Sequence, residues 1–357
     1  MKKTISVLFA AAALVFLAAG CAKKSTQAKP VVGFVYIGSI NDVYTGAHDK
    51  GRVALQTLGY ECHYVENVAE NTADVEKAIH DLIDQGCTVI YTTSFGFMDA
   101  TVNVAKEYPD LKFAHCSGYK QEANMSRYFG KIYQPRYLSG IAAGYKTTAN
   151  KIGYVAAYSI PEVIRGINAF TLGVRSVNPD AVVEVVWTNT WYDPAVEKQA
   201  ALELLNRGCD IIAQHQDTTA PQIAAQERGA FAIGYDMPSP AEAPKAYLTA
   251  PIFNWDVFYI DDVQQIEAGT WQSRAYWEGL AAGAVGLDTL SANNDPRAEA
   301  AIVAVTASII EGSFDPFTGP IKDQAGEVRV APGVRLTDDE IWSMNWFVEG
   351  VRGTIAE

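Results

Sequence analysis

The side chains of this 357-residue chain that could do chemistry fall in short polar and aromatic runs, each coming directly after a strand-like apolar stretch. One set is Ser39-Ile40-Asn41-Asp42-Val43-Tyr44, Thr93-Ser94-Phe95-Gly96-Phe97 and Ser117-Gly118-Tyr119. A second is Tyr158, Thr188-Asn189-Thr190-Trp191-Tyr192-Asp193, His215-Gln216-Asp217 and Gly234-Tyr235-Asp236. Aromatic faces and neutral hydrogen-bonding groups dominate, and cations are scarce. Such a lining suits a flat, polar, uncharged molecule held by stacking and by hydrogen bonds to its edge. Phosphates or carboxylates would call instead for arginine forks or a glycine-rich turn. Asp236 closes the apolar run Ala232-Ile233-Gly234-Tyr235 and is either a loop cap or an acceptor for a ligand N–H, the second reading being preferred.

Catalytic signatures are missing. The chain has no Gly-x-Ser-x-Gly elbow, no His-Glu-x-x-His, no Walker loop and no Gly-x-Gly-x-x-Gly after a strand. His48, His63, His80, His115 and His215 are scattered without ligand spacing, so no metal and no cofactor is expected. His115 and His215 stand near strand ends, within reach of a ligand. A net charge of −13 opposes any sequence-independent grip on nucleic acid. Cys62, Cys87, Cys116 and Cys209 read as small buried hydrophobes, with a disulfide left open. The expectation is a monomeric binding protein, not an enzyme.

Alternating elements must position these runs. Lys2 and Lys3 ahead of the apolar stretch Ile5 to Ala19 make an export signal, too short to span a membrane comfortably. Its end, Leu17-Ala18-Ala19-Gly20-Cys21, resembles a lipobox, which implies a signal over 1–20, lipidation of Cys21, a tether over 21–30 and an extracytoplasmic body anchored to the membrane. From Val31 onward strand, loop and helix alternate, which predicts parallel sheets covered by helices on both faces. The pattern restarts at Lys151, and Asp84-Gln85-Gly86-Cys87-Thr88-Val89-Ile90 is answered by Asn206-Arg207-Gly208-Cys209-Asp210-Ile211-Ile212. The expected architecture is α/β, two doubly wound lobes joined by a three-crossing hinge, with the ligand off the carboxyl ends of the strands. Residues 31–150 plus 253–312 are assigned to an N-terminal lobe, and 151–252 plus 313–357 to a C-terminal lobe. Asp295 should cap a helix from Pro296 to Glu311 that returns to the first lobe; a hairpin turns at Ala325-Gly326, and Thr337 to Glu340 is a capping box.

These residues carry a family resemblance. From Val31 to Gly353 the chain is similar to the basic membrane protein family of solute-binding lipoproteins, which includes purine nucleoside receptors. The strongest stretches are Tyr128-Phe129-Gly130 to Gly144, Ile160-Pro161-Glu162 to Phe170, Trp187 to Pro194 and Ile233 to Asp236. The resemblance implies the type I periplasmic binding protein fold, an ABC permease as partner and two aromatics that sandwich a base, here Tyr44 and Trp191, with Asp236 contacting the ligand. Where nucleoside receptors carry a lysine for ribose hydroxyls, Pro251-Ile252-Phe253-Asn254-Trp255 places Phe253. With Tyr158, Trp187 and Trp255 this favours a free purine base such as adenine. Ser94, Phe95, Asp217 and Asn254 complete the expected ligand-binding set, the edge of the base being read by Asp236, Asn254 and Ser94. The alternatives are a receptor for a nucleoside or another flat heterocycle, and a ligand sensor without transport.

Overall fold

Runs that are apolar on both faces, such as Val32-Gly33-Phe34-Val35 and Val89-Ile90-Tyr91-Thr92, form fully buried strands, as a parallel sheet sandwiched between helices requires. The computed structural model describes residues 29–355, so the signal over 1–20 and Cys21 lie outside the described residues. The chain opens with β1 (Val32–Val35), α1 (Val43–Thr57), β2 (Cys62–Val65), α2 (Thr72–Asp84), β3 (Val89–Thr92), α3 (Met98–Glu107), β4 (Lys112–Cys116) and β5 (Met125–Gly130). It crosses through α4 (Tyr133–Lys146) to β6 (Lys151–Ala156), α5 (Pro161–Val177), β7 (Val182–Trp187), α6 (Pro194–Asn206), β8 (Ile211–His215), α7 (Ala220–Glu227), β9 (Phe231–Ile233) and β10 (Tyr247–Thr249). It then returns by β11 (Pro251–Phe253) to α8 (Trp255–Glu267) and β12 (Ala275–Glu278). A third passage, β13 (Val285–Leu287), leads to α9 (Arg297–Ile310), β14 (Ile321–Lys322), β15 (Val328–Val330), α10 (Asp338–Trp342) and β16 (Val351–Arg352).

Two six-stranded sheets result, ordered β12-β5-β4-β3-β1-β2 and β10-β9-β8-β6-β7-β16. Neighbouring strands are parallel throughout both. Between them β11 and β13 run antiparallel, pairing Pro251 with Leu287 and Phe253 with Val285, and form the hinge ribbon. The expected fold, two parallel-sheet α/β lobes with three crossings, is the one observed.

The internal echo is structural. Gly86 and Gly208 both sit at φ 90°, the left-handed turn that ends α2 and α6, and Cys87 and Cys209 after them are buried. Asp193 caps α6 by accepting from the amides of Ala195 and Val196, with Pro194 in the first turn, and Thr337 and Glu340 form the expected capping box. All four described cysteines are free thiols.

Two features depart from the sequence reading. Helix α9 begins one residue later than expected, after Pro296, with Asp295 accepting from the amide of Arg297. More importantly, α4 and α9, assigned above to the first lobe, contribute Tyr137, Leu138, Ile141, Ile302 and Ile309 to the core of the second sheet. Periodicity shows that a helix has an apolar face but not which sheet covers it. Glycines decide the matter for α4: a Cβ on Gly173 would lie 2.0 Å from the Tyr137 carbonyl oxygen and one on Gly140 2.2 Å from that of Phe170, so α4 and α5 cross backbone to backbone.

Substituting Gly173→Ala forces these helices apart, at a cost of roughly 1–3 kcal/mol or more for an overpacked interior. Urea denaturation should show a lower midpoint; an unshifted midpoint would contradict this close crossing.

Candidate functional site

Because every strand of both sheets is parallel to its neighbours, the loops at the carboxyl ends of the strands gather along one edge of each lobe, and the lobes turn those edges toward each other. Between them lies a narrow cavity of about 20 Å³ lined by Tyr44, Ser94, Phe95 and Ser117 from the first lobe and Glu162, Trp191, His215, Asp217 and Tyr235 from the second. That volume is far below the roughly 300–1,000 Å³ of ligand pockets and holds little more than a water, so a cargo must part the two walls.

Each wall residue is held from behind. Tyr44, in the first turn of α1, donates its hydroxyl to the Thr93 carbonyl, and its ring meets His48 edge-on at 4.8 Å. Ser94 donates to Glu70, whose carboxylate also accepts from the Gly96 amide at 2.9 Å and so fixes the loop after β3. Trp191 packs edge-on against Tyr158 at 5.0 Å, and its carbonyl accepts from the Asp217 amide. Glu197 steadies the neighbouring loop by accepting from the Thr218 hydroxyl and, at 3.1 Å, from the Asp193 amide.

The polar groups are the unusual part. Asp236 is fully buried, its backbone is left-handed at φ 67°, and neither carboxyl oxygen has a hydrogen-bond partner among the described residues. Burial pushes this carboxyl well above the usual range, opposed by the Arg136 guanidinium and reinforced by Glu162. It stands within electrostatic reach of Tyr44 and Asp217 in the cavity wall. Asp217 is raised as well, by burial first and then by Asp236 and Glu197. Glu162 places Oε1 3.3 Å from His215 Nε2, while its Oε2 is buried without a partner. Burial lowers His215 to about 4, so its imidazole is neutral near pH 7. Carboxyl groups lacking partners offer acceptors for N–H or O–H groups, and a neutral His215 adds no charge to bind an anion.

Of the expected site residues, Tyr44, Ser94, Phe95, Trp191 and Asp217 line the cavity, and Asp236 stands beside it. Three others do not reach it. Trp187 donates from Nε1 to the Thr354 carbonyl and stacks on Phe347, because alternation along β7 puts it on the core face with Val183 and Val185. Asn254 donates to the Gly283 carbonyl at 2.8 Å and serves the hinge. Trp255 is buried in the first lobe, stacked between Phe253 and His48. Glu162 is the site residue that sequence reasoning misses. Its signal is an acid in the first turn of a helix directly after an apolar strand and Tyr158, the same placement that marks the other loops.

A family model described as ABC transporter substrate-binding protein PnrA-like matches residues 29–314. The chain belongs to this PnrA-like family. A purine-binding protein of Brucella abortus is 41% identical over 340 residues, spanning 94% of this chain and 96% of its own length. A Haloferax volcanii chain to which an ABC transporter glucose-binding role is attributed is 38% identical over 90% of this chain and 80% of its own. Among solved structures, an ABC transporter solute-binding protein of Conexibacter woesei superposes with a TM-score of 0.68 at 21% identity, covering 80% of this chain and 98% of that one, a likeness of fold. As a member of the PnrA-like family, the protein is the substrate-binding component of an ABC transporter, with a small-molecule cargo, a permease as partner and an extracytoplasmic place of work. Solute capture, not catalysis, is the family's role. Among the described residues no helix is long and apolar enough to cross a membrane.

Glu197 gives the site a pH signature. Burial raises its carboxyl from 4.5 to about 7, so the folded chain holds a proton there that the unfolded chain has released. Stability from this group is full below pH 4.5 and is lost as pH rises through about 7, a change on the order of 3 kcal/mol. In Glu197→Gln, thermal melts across that window should lose this decline; a wild-type slope in the variant would contradict the assignment.

Proposed function

We propose that the two lobes close on a purine base of the adenine type, with Tyr44 and Trp191 clamping its faces and Asp236, Asp217 and Glu162 accepting from its N–H groups. The observation that carries this reading is the closed cavity itself, with an aromatic ring from each lobe and a fully buried, unpartnered carboxyl group beside it. The family resemblance supports a base over a nucleoside, because the lysine that nucleoside receptors carry for ribose hydroxyls is matched here by Phe253, which is buried and stacked on Trp255. The purine-binding relative at 41% identity agrees with it. Closure presents a joined surface of both lobes to the permease. In this reading the protein acts as a monomer held at the membrane by a lipid on Cys21.

The relative attributed to glucose, together with the number of carboxyl acceptors, favours a second reading in which a sugar stacks on the same rings. Calorimetry with adenine, adenosine and glucose separates the two. Adenine should bind tightest. Tyr44→Ala should weaken it about 5- to 150-fold, the equivalent of roughly 1–3 kcal/mol for one stacked face, with the melting temperature of the ligand-free protein little changed. Glucose binding with adenine inert, or an unchanged adenine affinity in Tyr44→Ala, would overturn the clamp.

A further inference from the structure

Beneath the cavity, three polar atoms without a protein partner converge on Gly166 in α5. Arg136 Nε, Tyr154 Oη and His215 Nδ1 are each buried and lack a hydrogen-bond partner among the described residues. They come from α4, β6 and the end of β8, all packed within the second lobe. A Cβ on Gly166 would lie 3.7 Å from His215 Nδ1, 3.7 Å from Tyr154 Oη and 3.8 Å from Arg136 Nε. That point is just outside hydrogen-bond range of all three, and an oxygen seated beyond it, at van der Waals distance from the Gly166 Cα, can serve each. Native interiors rarely leave even one such group unpaired, and here three share a single focus.

We propose that the missing side chain at Gly166 seats one buried water, held by Arg136, Tyr154 and His215, which fixes the proton position on His215 and so the acceptor that Glu162 offers to the cargo. The donor and acceptor pattern selects the ligand. Glu162 Oε1, 3.3 Å from His215 Nε2, accepts as a carboxylate, and the Tyr235 hydroxyl oxygen, 3.2 Å from the same nitrogen, can accept as well, so Nε2 carries the proton and the neutral ring leaves Nδ1 bare. Nδ1 therefore needs a donor, whereas Arg136 Nε–H can only donate. A halide has no proton for Nδ1, and an ammonium-type cation has no lone pair for Arg136. Water supplies both, and the Tyr154 hydroxyl completes three hydrogen bonds, the usual number for a buried water. Locked in this tautomer, His215 occupies Glu162 Oε1 and leaves the unpartnered Oε2 as the free acceptor.

Arg136 and Gly166 are thereby positioning residues. The guanidinium of Arg136 is anchored by donation to the Gln214 carbonyl at 2.6 Å and lies 3.7 Å over the Tyr235 ring. Through the water, the crossing helix α4 is tied to the wall of the cavity.

The test is Gly166→Ala in the ligand-free protein, so its outcome does not depend on the identity of the cargo. Helix propensity alone would raise stability, and every neighbour of the added methyl is at an ordinary contact distance. The methyl nonetheless takes the place of the water. The melting temperature should fall by about 2–4 °C or more, and the nitrogen NMR shifts of His215 should move from the Nε2–H form toward a mixture of tautomers. A melting temperature that is unchanged or raised, with the His215 tautomer unaltered, would overturn the proposal. Should Gly166→Ala fail to fold, Tyr154→Phe removes one partner while keeping the ring: a smaller fall in melting temperature supports the water, and an unchanged one refutes it.

Discussion

A carboxyl group taken out of water without a partner costs several kcal/mol, and the closed cleft buries Glu162, Asp217 and Asp236 together. One guanidinium, that of Arg136, pulls against the raised Asp236, and it is already committed to the Gln214 carbonyl and the Tyr235 face. The closed arrangement is therefore a debt that a ligand's own donors can settle. A molecule offering N–H groups lowers the energy of the closed state more than that of any open one, which is the differential affinity that couples binding to closure. Signalling occupancy to a permease requires such coupling, since a cleft equally content empty or full would report nothing.

The fold serves this constraint by separating rigid walls from a narrow hinge. Six parallel strands on each side fix where the loops emerge, and the β11–β13 ribbon with the one further crossing through α4 joins the halves. Trp255 matters here although it does not line the cavity. Phe253 stacks on Trp255 at 4.4 Å, Trp255 on His48 at 4.6 Å, and His48 meets the edge of Tyr44 at 4.8 Å. This aromatic series runs from the hinge to the first-lobe wall, so the position of Tyr44 is coupled to the segment that bends. Burial holds His48 well below its usual pKa, and the ring is therefore an uncharged member of the stack.

Much of this is legible in the sequence, for identifiable reasons. Strands apolar on both faces announce parallel sheets, and helix ends marked by Gly86 and Gly208 expose the duplicated pattern. The residues just past each strand include Tyr44, Ser94, Phe95, Trp191 and Asp217, and they meet at the cavity because a parallel sheet leaves its loops no other edge to occupy. Tryptophans are less legible. Trp187 and Trp255 look like ligand platforms in one dimension, yet alternation along β7 turns the first onto the core face with Val183 and Val185, and packing of α8 buries the second. The assignment of α4 and α9 fails for a related reason: an apolar helical face fits either sheet, and the choice is made for α4 by the backbone contact at Gly140 and Gly173 and for α9 by the packing of Ile302 and Ile309. Glu162, Glu70 and Arg136 are silent because a lone charged residue in a helix or loop reads as solvated until its burial is seen.

The central claim is that the cleft holds a flat, uncharged heterocycle between Tyr44 and Trp191 and satisfies its carboxyl groups with ligand N–H donors. The most direct measurement is to denature the protein as purified and identify the released small molecule by mass spectrometry. A purine base in near-stoichiometric amount is the predicted result. Recovery of a sugar would contradict the account in favour of the second reading, and recovery of a phosphorylated or carboxylated compound would contradict it because an acceptor-rich, cation-poor cavity would not explain an anionic cargo.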